Sequence, residues 1–218
     1  MFASLVNTLL DLLLPQKAEV RRIETMTPSA FARAAKREWQ IDPFPRIFAR
    51  FAYEEPIVRR AVHELKYRGN EKIAALLGAL LYETLLAEAA EEALFLRNER
   101  ALLIPVPLSP QRLRERGFNQ TELLAKAILS CDGGACFEYA RDVLLKTRNT
   151  ESQTKTKSRK ERLKNLSGTF AVSDAARVSG RRIIVIDDVV TTGATMQEAM
   201  RVLRAGGARE VRGIAVAH

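Results

Sequence analysis

Cysteine and histidine are nearly missing from this chain. Its 218 residues hold two of each, Cys131, Cys136, His63 and His218. Two cysteines cannot build a multi-bridge disulfide framework, and neither has a histidine at zinc-ligand spacing, so a reducing compartment is the simpler reading. Long apolar runs are missing too. The stretch from Phe2 to Leu14 is interrupted by Asn7, Thr8 and Asp11, lacks a basic leader and falls short of the ~20 residues that span a bilayer. Leu5, Leu9, Leu12 and Leu13 fall at helical spacing instead, which reads as an amphipathic packing helix. The expectation is a soluble, cytoplasmic protein with no membrane insertion. No internal repeat is present.

What is present is an ordinary globular balance of 47% hydrophobic and 28% charged residues, which argues against disorder, collagen-like repeats and coiled-coil rods. Lys and Arg exceed Asp and Glu by 35 to 26, a net +9. Such a field attracts polyanions: phosphorylated metabolites, nucleic acid or acidic headgroups.

The chain divides into a helical N-terminal appendage, 1–45, and one larger domain, 46–218. The appendage carries a short helix ending near Pro15, a helical pattern from Pro28 to Trp39 and the extended segment Asp42-Pro43-Phe44-Pro45. From Ile57 to Ala90 apolar residues keep helical spacing on both sides of a break at Tyr67-Arg68-Gly69-Asn70. A strong strand, Ala101 to Val106, follows, and then a helix from Thr121 to Leu129. Further strands are expected at Val143 to Leu145, Arg182 to Asp187 and Val211 to Ala217, with a helix from Thr195 to Arg204 closed by Gly206-Gly207. Strands alternating with helices predict an α/β fold with a mostly parallel central sheet.

One stretch breaks this pattern. Lys146 to Lys164 holds eight Lys or Arg residues against two Glu, so +6 of the chain's +9 lies within nineteen residues. Most such runs are solvated loops, although a long polar loop inside a compact domain is functional more often than a short connector is.

The segment richest in chemistry runs from Arg182 to Thr195. Four β-branched residues, Ile183 to Ile186, form a strand to be buried on both faces, and Asp187 and Asp188 follow at its carboxyl end, where parallel sheets place ligands. Both side chains are expected at the strand terminus, outside the core. The turn Thr191-Thr192-Gly193-Ala194-Thr195 then opens a helix, offering hydroxyls, free N–H groups and the positive end of the helix dipole to a phosphate. Two carboxylates beside an anion cradle suit a ligand with hydroxyls on one side and phosphate on the other, such as a phosphorylated sugar. An isolated Asp-Asp or Thr-Thr-Gly more often only caps a strand–loop–helix junction.

The whole string from Ile183 to Thr195 resembles the binding signature for 5-phosphoribosyl-1-pyrophosphate (PRPP) of the type I phosphoribosyltransferases. Pro105-Val106-Pro107-Leu108, then Arg112, Arg114 and Arg116-Gly117-Phe118-Asn119-Gln120, resemble a block of the ComF family, the competence-protein relatives of amidophosphoribosyltransferase. Leu65-Lys66-Tyr67-Arg68-Gly69 is similar to another family element, and Arg148, Thr150, Gln153, Arg159, Arg162, Asn165 and Phe170 to a third. The resemblance covers roughly Phe48 to His218.

It implies a type I phosphoribosyltransferase fold with an N-terminal helical hood. It places Asp187 and Asp188 on the ribose 2′ and 3′ hydroxyls as catalytic residues and wraps Thr191, Thr192, Gly193, Ala194 and Thr195 around the 5′-phosphate. Arg112 and Arg114 fall on the pyrophosphate, and Arg148, Gln153, Arg159 and Arg162 in a flexible loop that closes over the ligand. Mg²⁺ accompanies PRPP in such sites. Many family members carry an N-terminal four-cysteine zinc module, but this chain has no cysteine before Cys131, so no zinc is expected. A homodimer is compatible with the resemblance and not required by it.

Two functions remain open at this stage. One is transfer of the phosphoribosyl group to an unidentified acceptor with release of pyrophosphate. The other is a PRPP-responsive protein that binds single-stranded DNA during DNA uptake, the basic stretch tracking the phosphate backbone.

Overall fold

A computed structural model describes residues 15–35, 39–40, 46–91, 99–147 and 168–218. In chain order the elements are α1 (Pro15–Glu24), α2 (Pro28–Ala35), β1 (Trp39–Gln40), β2 (Ile47–Phe51), α3 (Pro56–Arg68), α4 (Glu71–Glu91), β3 (Ala101–Pro105), α5 (Pro110–Arg116), α6 (Gln120–Asp132), β4 (Phe137–Tyr139), β5 (Leu144–Lys146), β6 (Phe170–Val172), β7 (Arg182–Val189), α7 (Ala194–Ala205) and β8 (Glu210–Ala217). None of the described helices is long and apolar enough to cross a membrane.

Six strands form one sheet in the order β1-β2-β8-β7-β3-β4, parallel throughout except for β1. The central strands alternate between two cores with the period of two that a pleated sheet imposes. Leu103, Ile186 and Ile214 face one core, shared with α3, α4 and α6, whereas Leu102, Ile104, Ile183, Val185 and Val211 face the other, shared with α7. Ile23 of α1 and Phe31 of α2 are buried in the first core, Phe31 meeting Phe51 edge-on at 5.5 Å.

Two expectations need correction. Val143 to Leu145 is not a strand of the main sheet: β5 runs from Leu144 to Lys146 and pairs antiparallel with β6 in a separate two-stranded hairpin. The helix expected through Trp39 ends at Ala35, and Trp39 pairs with Ala49 across β1 and β2. Strands β2, β4 and β6 had no counterpart in the sequence reading.

Helices α4 and α6 pack so closely that a Cβ built on Gly78 would lie 2.4 Å from the Ala127 Cβ. Gly78→Ala therefore forces the helices apart. Relief of the helical glycine returns under ~1 kcal/mol, and overpacking costs about 1–3 kcal/mol, so the denaturation midpoint should fall with an unchanged m-value.

The topology fixes where a ligand can enter. From β3 the chain crosses through α6 to β4 on one side, and from β7 it crosses through α7 to β8 on the other. Adjacent strands β3 and β7 thus form the switch point of the sheet, where a crevice opens beyond their carboxyl ends.

Candidate functional site

Strand β3 stops at Pro105, paired with Ile186, and the last bond across this seam runs from Val106 N–H to the Ile186 carbonyl at 2.9 Å. Strand β7 continues to Val189 beside β8, so Asp187 and Asp188 stand past the end of β3 on the crevice. They are not outside the core as expected. Asp187 is 9% exposed and Asp188 3%, because Asp187 pairs with Ala215 and Val189 with Ala217, carrying the buried sheet beyond both carboxylates.

Each carboxylate folds onto the backbone that follows it. Asp188 N–H donates to Asp187 Oδ1 at 2.8 Å, and Val189 N–H to Asp188 Oδ1 at 2.9 Å. Asp188 Oδ2 is buried without a hydrogen bond, but the Lys66 ammonium stands 3.3 Å away as an ion pair. Burial, and then the negative charge of Asp188, push the Asp187 carboxyl well above the usual carboxylate range, while Lys66 acts in the opposite sense.

Such a group stabilises the fold below the ordinary carboxylate pKa, and that contribution is lost as pH rises through its elevated one. Lys66→Met removes the cation that limits this loss. The variant should match the parent at low pH and fall behind it towards pH 9 by about 1 kcal/mol, a modest figure because Lys66 is partly exposed. Thermal melts across pH measure the gap, which Asp188→Asn should largely close.

Lys66 comes from the last turn of α3, whose end is fixed by Gly69 at φ 58°. The Phe118 ring lies 3.1 Å from where a Gly69 Cβ would stand, and the Arg116 guanidinium lies 5.3 Å from the Tyr67 ring centroid. Two elements nearly fifty residues apart therefore meet beside the paired aspartates. Asn119 holds the same corner, donating to the Val106 carbonyl at 3.2 Å and capping α6 through Thr121 N–H. Thr121 Oγ1 reaches the Val106 carbonyl at 2.8 Å.

Across the crevice Ser109 caps α5 by accepting from Arg112 N–H, and α5 carries Arg112, half-buried, and Arg114, exposed. Lys146 of β5 reaches this mouth with its ammonium 5.7 Å from the Phe170 ring. Burial and the nearby Arg112 lower its pKa, and Asp187 raises it, which sets all three charges in one neighbourhood. On the β7 side Gly193 takes φ 72° and starts α7 with no side chain capping its N–H groups. Thr191 is exposed, Thr192 and Thr195 are half-buried, and Ala194 is buried. His218 Nε2 lies 3.0 Å from the Thr191 carbonyl.

Of the expected site residues, Asp187, Asp188 and the Thr191–Thr195 turn stand at the carboxyl end of β7, Arg112 lies in the neighbourhood of Lys146 and Asp187, and Arg114 is exposed on α5. Arg148, Gln153, Arg159 and Arg162 lie outside the described residues. Lys66, Lys146 and His218 were missed. Lys66 sat in a motif that resemblance had flagged without a role, and Lys146 was counted only as one charge among eight. Phe137 is buried core, meeting Tyr82 edge-on.

The family description "phosphoribosyl transferase domain" matches residues 121–218. The chain is also 31% identical over 173 residues to the DNA utilization protein YhgH of Escherichia coli O157:H7, covering 78% of this chain and 70% of that protein. It is 40% identical over 106 residues to the competence protein ComFC of Bacillus subtilis, covering 49% and 39%. The chain belongs to the ComF family. A ComF chain of this kind thus has the type I phosphoribosyltransferase α/β fold, a parallel sheet flanked by helices with its crevice at the β3–β7 switch point. Among solved structures it is similar to the glutamine PRPP amidotransferase of B. subtilis, at 18% identity and a TM-score of 0.43, over 71% of this chain and 30% of that one.

Proposed function

We propose that the protein binds PRPP in the β3–β7 crevice and transfers its phosphoribosyl group to a nitrogen acceptor. The observation that carries this reading is the adjacency of two buried carboxylates to an uncapped helix N-terminus at the switch point. Asp187 and Asp188 accept from the ribose 2′ and 3′ hydroxyls. The Thr191–Thr195 turn donates backbone N–H groups and hydroxyls to the 5′-phosphate, with the α7 dipole favouring the anion. Arg112, Arg114 and Lys146 face the pyrophosphate as charge-assisted donors.

The bond from C1 to pyrophosphate breaks as the bond to the acceptor nitrogen forms, and the acceptor's proton passes to solvent. Positive charge grows on the ribose ring in between, where the two aspartates favour it. The donor set suits Mg²⁺ arriving on the ligand: the Asp187 and Asp188 carboxylates are hard oxygen donors that would help hold the ion. When bound, the ion neutralises charge on the departing pyrophosphate.

A second reading has its own support in the relatives' names, DNA utilization and competence proteins, and in the +6 stretch from Lys146 to Lys164. There PRPP is a regulatory ligand and single-stranded DNA the partner. One experiment separates the two: PRPP consumption with Mg²⁺ across nucleobases and amines, beside a single-strand titration at two salt concentrations. Acceptor-dependent pyrophosphate release supports transfer, and salt-sensitive DNA binding without turnover supports the second reading.

A further inference from the structure

An open cleft lies at the opposite end of the sheet from the aspartates. It encloses about 470 Å³ between Arg46, Phe48, Arg209, Glu210 and Arg212. Glu210 pairs with Arg182 at the start of β7 and Ala215 with Asp187 near its end, so about 16 Å of strand separates the two places.

Three features distinguish this cleft from an ordinary charged rim. Two guanidinium groups converge on one oxygen: Arg212 Nε donates to Glu210 Oε1 at 2.8 Å, and Arg46 Nη1 lies 3.8 Å from the same atom. Three guanidinium groups, those of Arg46, Arg209 and Arg212, line the cleft beside a single lining carboxylate, Glu210, with Glu99 paired to Arg209 and Glu88 near Arg212. The third feature is strain. Arg46 takes φ 74° where every other described residue in the left-handed region is glycine, and its carbonyl is locked by Gly213 N–H at 2.8 Å. Glycine would occupy that conformation without steric cost, so an arginine there points to a use for its side chain.

We propose that this cleft is a second anion site, taking the phosphate group of a phosphorylated ligand. Arg46 and Arg209 reach the phosphate as planar, permanently charged forks, and Arg212 fixes the wall behind them. Phe48 offers an apolar side to whatever carries the phosphate. This site is independent of the crevice at β7 and does not rest on its assignment.

Titrating the ¹⁵N-labelled full chain with inorganic phosphate and with AMP tests it, because backbone amide shifts report each site separately. Shifts at Gly213 and Arg209 read the cleft, and shifts at Gly193 and Ala194 read the crevice. Arg46→Gly should keep or raise the thermal midpoint, since it relieves the strained φ. With Arg209→Ala added, the dissociation constant read at Gly213 should rise about tenfold or more, that at Gly193 staying the same. Gly213 shifts that survive the double variant, or that never develop while Gly193 saturates, overturn the proposal. A single-stranded oligonucleotide forms the last arm. Variant-sensitive Gly213 shifts with it assign the phosphates to a nucleic-acid strand, and their absence beside intact AMP shifts assigns a small ligand; both uphold the site.

Discussion

Replacing Asp187 and Asp188 together by Asn should cost at least a hundredfold in PRPP affinity by calorimetry while making the unliganded protein more stable at pH 8. The two halves have one cause. A hydrogen bond from a ribose hydroxyl to a carboxylate contributes about 1.5–3 kcal/mol, so losing two charged acceptors weakens binding by some two to four powers of ten. In the empty protein the same charges are a burden. Burial and the charge of Asp188 hold the Asp187 carboxyl above its ordinary range, so the native state loses stability as pH rises through that elevated pKa. The amides carry no charge to desolvate, and their oxygens still accept from the N–H groups of residues 188 and 189. Lys66 loses its partner, but its side chain is 29% exposed and can turn to water.

The gain should vanish at low pH, where the Asp187 carboxyl is protonated, and grow towards pH 8. For a chain of this size each kcal/mol appears as about 2–4 °C in Tm. Unchanged PRPP affinity would remove the ligand from these residues. Lost binding with a lower Tm at pH 8 would make the aspartates structural supports instead.

How much of this was legible in the sequence depends on how far apart the partners lie. Four β-branched residues followed by two aspartates, a Thr/Gly turn and a helix announce β7 and α7 locally, and both formed at nearly the expected positions. The three-residue strands β4, β5 and β6 are too short for any periodicity to register, and nothing local tells Leu144–Lys146 that its partner is Phe170–Val172 rather than the main sheet. Strand β2 alternates only from Ile47 to Phe51, immediately after a proline-interrupted stretch.

The site divides in the same way. The place of Asp187 and Asp188 followed from their position after the strand, but their burial did not, because it depends on β8 pairing as far as Val189, beyond both. The ion pair from Lys66 to Asp188 joins residues 122 positions apart. Only the tertiary arrangement reveals it.

The basic stretch offers the other large effect, since its two ends are held beside the crevice. Lys146 and Thr147 leave β5 at the mouth, and Gly168 returns with its N–H on Glu198 Oε1 at 2.9 Å and its carbonyl accepting from Thr147 Oγ1 at 2.9 Å. Replacing Lys155, Lys157, Arg159 and Lys160 by Ala, all outside the described residues, therefore removes four charges from a stretch whose flanking residues stand beside the crevice. If the stretch contacts single-stranded DNA, each lost phosphate contact lowers the slope of log K against log salt by about 0.7, near 3 for all four, and affinity at low salt falls about a hundredfold or more. Enzyme turnover makes a different demand. Cations that neutralise departing pyrophosphate act in the transition state, so their loss lowers kcat for PRPP consumption more than it raises KM. An unchanged salt slope beside a reduced kcat would assign the stretch to closure over PRPP, and a collapsed slope with no turnover to lose would assign it to the nucleic-acid strand.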